Sequence, residues 1–217
     1  MKIKAILIDL DGTITDTERV YQKNWLIAAK KLGYDFFTKE DALSLRSAWR
    51  PYGKELMAKR FGDKLDLDKL AEVTTEMTIE ELKRDGTKLK PYAKEFLEEV
   101  RKYNLKVVLV SATRMDIVKW RLSEVELSDA LDEVVSAHGT KRGKPYPEPY
   151  LFACDEIGVS PEETIAVEDS PNGALSAIAA GCNTVMVPDL TKADEELLNK
   201  LYGYCDNLMG VLDYLDV

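Results

Sequence analysis

Asp9 and Asp11 flank a single leucine directly after the apolar run Ala5-Ile6-Leu7-Ile8, and Gly12-Thr13 follow them. On an extended chain, residues two apart point the same way, so both carboxyls can address one site where the run ends. Two buried acids that close repel each other unless a cation or a shared proton relieves them. An ordinary strand leading into an Asp-Gly turn needs no such relief, and this stretch alone leaves the two readings level. Three further stretches shift the balance. Ser111 ends the run Val107 to Val110, Glu168-Asp169 end the run Thr164 to Val167, and Lys144 lies in Lys141-Arg142-Gly143-Lys144-Pro145-Tyr146-Pro147. A strand terminus becoming solvated accounts for any one of the first two, and Ser111 could equally cap the next helix. It accounts poorly for carboxylates that recur where apolar runs end. Carboxylate oxygens suit magnesium. Magnesium beside carboxylates, a hydroxyl and a lysine suits phosphoryl transfer, in which dense negative charge must be neutralised and positioned. For Lys144 the competing reading is a solvated loop charge.

The elements that must position these residues are readable from periodicity. Val20, Tyr21, Asn24, Trp25, Ala28 and Leu32 recur at helical spacing, and Gly33 is a natural stop. Thr38 with Asp41 resembles a helix start, Pro51 interrupts, and further helices are expected over 52–61, ending at Gly62, and 67–84, closed by Gly86. Residues 15–88 therefore read as a helical insertion without a buried strand, close to the smallest size that holds a core of its own. From Pro91, expected in the first turn of a helix through Phe96, Leu97, Val100 and Tyr103, strands and helices alternate. Strands are expected at 107–110, 133–135, 164–167 and 184–187. Helices are expected over 114–127, through Phe152 and Ile157 to Gly158, over 172–180, and near 193–201 and 207–215, with a loop from Gly139 to Pro149. The alternation argues for an α/β fold with a parallel sheet covered by helices on both faces. Ligands of such sheets bind beyond the carboxyl ends of the strands, which is where the polar residues fall.

Composition narrows the partners. With 217 residues, a formal net charge of -9 and a pI near 4.9, the chain can bury a core but lacks the basic surface of a nucleic-acid binder. It has no apolar run of membrane-spanning length and opens on Met1-Lys2-Ile3-Lys4 without signal-peptide architecture. Cys154, Cys182 and Cys205 are odd in number and far apart, which fits reduced thiols in a cytoplasmic protein. His138 is the one histidine, so a Ser-His-Asp mechanism would rest on it alone; it reads as a loop residue.

Asp9-Leu10-Asp11-Gly12-Thr13, Ser111 after an apolar strand, Lys144 in Gly-Lys-Pro, and Glu168-Asp169-Ser170 with Gly173 form an ordered set. It resembles the four motifs of the haloacid dehalogenase-like hydrolase superfamily, in its phosphatase/β-phosphoglucomutase branch with a helical cap. The resemblance implies a Rossmann-like core over 1–14 and 89–217, a cap over 15–88, magnesium dependence and an aspartyl-phosphate intermediate. Asp9 would be the nucleophile, and Asp11 would protonate the leaving oxygen and then activate water. Asp9, Asp169 and the carbonyl of Asp11 would hold the metal, with Glu168 beside or in its shell. Ser111, Ala112 and Lys144 would bind the phosphoryl group. Asp11 speaks against dehalogenation, and no cap lysine stands out for phosphonate hydrolysis. Where the best known mutases carry a cap histidine this chain has Tyr21, while Arg50 stands in a place similar to the mutase arginine that grips a distal phosphate, with Arg46 and Lys54 nearby. Those basic residues read equally as a solvated helix face. The expected activity is phosphatase on a small phosphorylated metabolite; the sequence leaves the oligomeric state open, with a monomer favoured. A phosphosugar mutase is the alternative, followed by a non-catalytic phosphate-binding module.

Overall fold

The computed structural model describes residues 2–138 and 140–215; Met1, Gly139, Asp216 and Val217 lie outside the described residues, and with them the start of the expected 139–149 loop and the outer ends of the expected core segments. Among the described residues, strands β1 (Ala5–Ile8), β2 (Lys106–Ser111), β3 (Glu133–Ser136), β4 (Thr164–Glu168), β5 (Asn183–Met186) and β6 (Gly203–Tyr204) form one sheet. Their order is β3-β2-β1-β4-β5-β6 and every pairing is parallel. β1 is central because all four of its residues are apolar, which suits burial on both faces. Ile6 and Ile8 pack on one side with Phe96, Leu97 and Val118, while Ala5 and Leu7 pack on the other with Tyr150, Ala153 and Ala177. Ile8 stands opposite Leu109 of β2 and Val167 of β4, so the chain leaves the sheet at Asp9 beside Glu168. The strand order reverses at β1, and that switch point opens a crevice over the site-bearing ends.

Four helices fill the stretch between β1 and β2: α1 (Glu18–Lys31), α2 (Lys39–Ser44), α3 (Arg50–Phe61) and α4 (Leu67–Asp85). α2 opens on the expected capping box, in which the Thr38 hydroxyl accepts from the Asp41 amide and the Asp41 carboxylate accepts from the Thr38 amide. Pro51 starts α3 rather than merely interrupting: Trp49 is extended, and Arg50 and Pro51 form the first turn, where an amide proton is not needed. These helices enclose a cluster of their own, including Ala28, Phe37, Met57 and Leu70. The chain enters and leaves this stretch side by side, with the Asp16 amide donating to the Lys88 carbonyl (2.8 Å) and the Lys90 amide to that of Ile14 (2.8 Å).

The sheet is covered by α5 (Ala93–Val100), α6 (Met115–Glu124), α7 (Glu148–Ile157) and α8 (Pro171–Ala180), with the short α9 (Glu195–Leu198) in the tail. Pro91 does not begin α5, because Tyr92 takes a left-handed φ of 66° and the helix starts at Ala93. α6 is shorter than expected, ending before a left-handed turn at Glu126. The tail holds the edge strand β6 between α9 and a 3₁₀ turn over Leu208–Tyr214. No helix among the described residues is long and apolar enough to cross a membrane.

Candidate active site

The crevice brings Asp9, Glu168, Asp169 and Lys144 together, all four buried. Lys144 Nζ donates to Asp9 Oδ1 at 2.6 Å and lies 2.5 Å from Glu168 Oε1, which also accepts from the Tyr150 hydroxyl (2.5 Å). The lysine is 1% exposed, so the solvated-loop reading does not hold. Burial pushes its ammonium toward losing its proton, and the carboxylates of Asp9 and Glu168 overcome that and hold it above its ordinary value. Burial pushes the Asp9 carboxyl up to about 8 against the pull of Lys144, with Glu168 and Asp11 adding to the rise. Asp169 is raised for the same reason, opposed by Arg46.

Two glycines make room for these acids. Gly12 has φ 87°, and a Cβ there would overlap Asp169 Oδ2. At Gly173 a Cβ would overlap the Glu168 carboxylate. Ser170 starts α8 by accepting from the Gly173 amide (3.1 Å).

The donor set fits a magnesium ion. Oxygens of Asp9, Glu168 and Asp169 lie within 4.8 Å of one another. Asp9 Oδ2 and Glu168 Oε2 are buried without a hydrogen-bond partner, an arrangement costly to leave uncompensated. All are hard carboxylate oxygens, the ligand type the ion prefers. The Asp11 carboxylate is not among these oxygens and is engaged elsewhere.

Asp11 is fastened from three sides. Thr17 stands at the N-cap of α1, yet its hydroxyl donates to Asp11 Oδ1 (2.5 Å) instead of capping; Thr113 donates to Oδ2 (2.9 Å), and Arg121 of α6 donates to Oδ1. Arg121 also donates to the Tyr21 hydroxyl at 3.2 Å. Burial holds the Tyr21 phenol above its ordinary value, so it stays neutral. Ser111 Oγ accepts from the Thr113 amide (3.0 Å), which leaves its own proton for a ligand; α6 begins at Met115 without it.

A cavity of about 240 Å³ joins Asp9, Asp11, Ala112 and Lys144 to Tyr21, Arg46 and Arg50. Arg46 is not a solvated residue: it is buried, donating to Asp169 Oδ2, to Glu18 Oε2 (3.2 Å) and to Thr191 Oγ1 (3.2 Å). Arg50 is partly exposed, 3.8 Å from Asp68. Lys54 pairs with Asp68 at 2.5 Å and lines a different cavity. His138 is exposed in a turn, outside the carboxylate cluster. Sequence reasoning missed Thr17, Thr113, Glu18, Tyr150 and Arg121. For Arg121 no sequence signal existed, since it sits in an ordinary helix beside the apolar Val118 and Leu122.

Fold and site together define an α/β protein whose buried lysine–carboxylate centre at the switch point suits an anionic group and a divalent cation. The chain belongs to the haloacid dehalogenase-like hydrolases, whose family model matches residues 3–181, and to their phosphatase/β-phosphoglucomutase branch. It is 30% identical over 204 residues to hexitol phosphatase A of Escherichia coli K12, covering 93% of this chain and 89% of that one. The crystal structure of β-phosphoglucomutase from Clostridium difficile superposes with a TM-score of 0.79 at 26% identity, over 98% of this chain and 95% of that one. A hydrolase of Pseudomonas syringae, 20% identical, shares the fold with a TM-score of 0.83 over 98% of each chain.

Proposed function

We propose that the protein is a magnesium-dependent phosphatase of a small phosphorylated metabolite, working through an aspartyl-phosphate on Asp9. The reading is carried by one observation: buried Asp9 has Oδ1 held by Lys144 while Oδ2 has no partner. Asp9 attacks phosphorus, an Asp9 O–P bond forms, and the P–O bond to the leaving group breaks as Asp11 gives that oxygen its proton. Water then attacks the same phosphorus, the Asp9 O–P bond breaks, and Asp11 takes the water's proton. Lys144 offsets the charge of Asp9 and, with Ser111 and Ala112, holds the phosphoryl oxygens. Asp9, Asp169 and the Asp11 carbonyl would hold magnesium with Glu168 beside them; the ion supplies positive charge against the transferring group. Residues 1–14 and 89–217 form the core and 15–88 the cap in this reading. The adjacent chain crossings would act as a hinge, and closure would shut water out. Tyr21, Arg46 and Arg50 would meet the leaving group from the cap side. Three buried free thiols support a cytoplasmic setting.

Purified protein with magnesium should release phosphate from p-nitrophenyl phosphate and from sugar phosphates. EDTA should abolish release, and Asp9→Asn should lower it by several orders of magnitude, because an amide is a poor nucleophile. A substrate panel giving nothing above the Asp9→Asn background would refute the reaction. Likeness to a β-phosphoglucomutase supports an isomerase as the second reading. Conversion of β-glucose 1-phosphate to glucose 6-phosphate faster than phosphate release, in a coupled assay primed with the bisphosphate, would favour it.

A further inference from the structure

Arg121 is the largest fully buried side chain of the described residues, and its charge faces the one acid that must move a proton in the proposed reaction. Helical side chains lean toward the N-terminus, so from within α6 the guanidinium reaches back toward the loop after β2, against which Thr113 holds Asp11 of the turn after β1. It donates to Asp11 Oδ1 and to the Tyr21 hydroxyl, and its Cζ lies 5.8 Å from the Tyr21 ring centroid. Its Nε finds no acceptor among the described residues.

Stability gives little reason for a charge there. The neighbouring buried positions on α6, Val118 and Leu122, are apolar, and a buried ion pair is often matched or bettered by well-packed apolar side chains. Geometry gives a better reason. The Thr17 and Thr113 hydroxyls can rotate to other acceptors, whereas a guanidinium locked by burial and by the Tyr21 oxygen cannot. We propose that Arg121, oriented by Tyr21, is a positioning residue that fixes the Asp11 carboxyl where it can pass a proton to the leaving oxygen and take one from water. The inference rests on the phosphatase reading above and adds to it a residue outside the motifs.

Leaving-group chemistry separates positioning from structural support. A nitrophenolate departs without a proton, whereas the alkoxide of glucose 6-phosphate needs one. In Arg121→Met, kcat/KM for glucose 6-phosphate should therefore fall on the order of 10²-fold, while that for p-nitrophenyl phosphate should stay within about threefold. Water activation also slows, so rapid mixing with p-nitrophenyl phosphate should give a burst of nitrophenolate stoichiometric with enzyme as the aspartyl-phosphate accumulates. Arg121→Lys, which keeps the charge without the fork, should recover part of the loss and carries the test if Arg121→Met shows no cooperative melt. Parallel losses on both substrates, or no loss on either, would overturn the inference while leaving the phosphatase reading intact. A wild-type protein without turnover would overturn both.

Discussion

Arg46 donates to Asp169 in the carboxylate cluster, while Arg50 keeps only a long contact with Asp68. The two arginines, four residues apart, are thus in different states: one is compensated by buried acids and the other is free to meet a second anionic group. Arg50→Ala should raise KM for a doubly anionic substrate tenfold to a hundredfold, about 1.4–2.8 kcal/mol of lost charged hydrogen bonding, and raise that for p-nitrophenyl phosphate far less. Steady-state kinetics on the two substrates checks this; equal rises would place Arg50 in the core's phosphate grip. The two carboxylate motifs and Lys144 were legible because strand ends and glycine turns leave short, local signatures. Tyr150 on Glu168 and Arg121 on Asp11 were not, because each comes from a helix and meets its partner only after the sheet is formed.

At the scale of elements, the turn after β1 and the start of α8 are built around absent side chains. Gly12→Ala would put a Cβ into Asp169 and strain a backbone at φ 87°. It should cost about 1–3 kcal/mol of stability and abolish activity together, read by thermal melting and phosphate release. Retained activity would show that Asp169 can yield without consequence. β1, β2 and β4 were placed within about a residue because continuous apolar runs have sharp ends. The start of α5 was misjudged because Tyr92 adopts a left-handed conformation that no local signal announces. β6 was missed because its two residues pair with β5 rather than displaying a pattern of their own.

For the whole molecule, the buried acids make stability depend on pH. Asp9 rises from 3.8 to about 8 and Glu18, beside Arg46, from 4.5 to about 7, both chiefly through burial. A carboxyl raised on folding binds its proton more tightly in the folded state. Its stabilising effect is complete below the unfolded value and is lost as pH climbs through the folded one. Without metal, Tm should fall as pH rises from about 5 to about 8. Magnesium should raise Tm more at the alkaline end, because it binds carboxylates that have already lost their protons. Melts in EDTA and in magnesium test this, and a Tm indifferent to pH in EDTA would refute it. A different consequence follows from where β1 sits. It precedes the other strands of its sheet and is central among them, yet Lys144 is 135 residues away from Asp9, and Asp169 is 156 residues from Thr13. Helices α1 to α4 can form from local contacts, while the centre must wait for distant chain to close on the first strand. In refolding, helical circular dichroism should therefore return before phosphatase activity. During synthesis the ends of β1 emerge as a half-site, which is finished only when the end of β4 arrives.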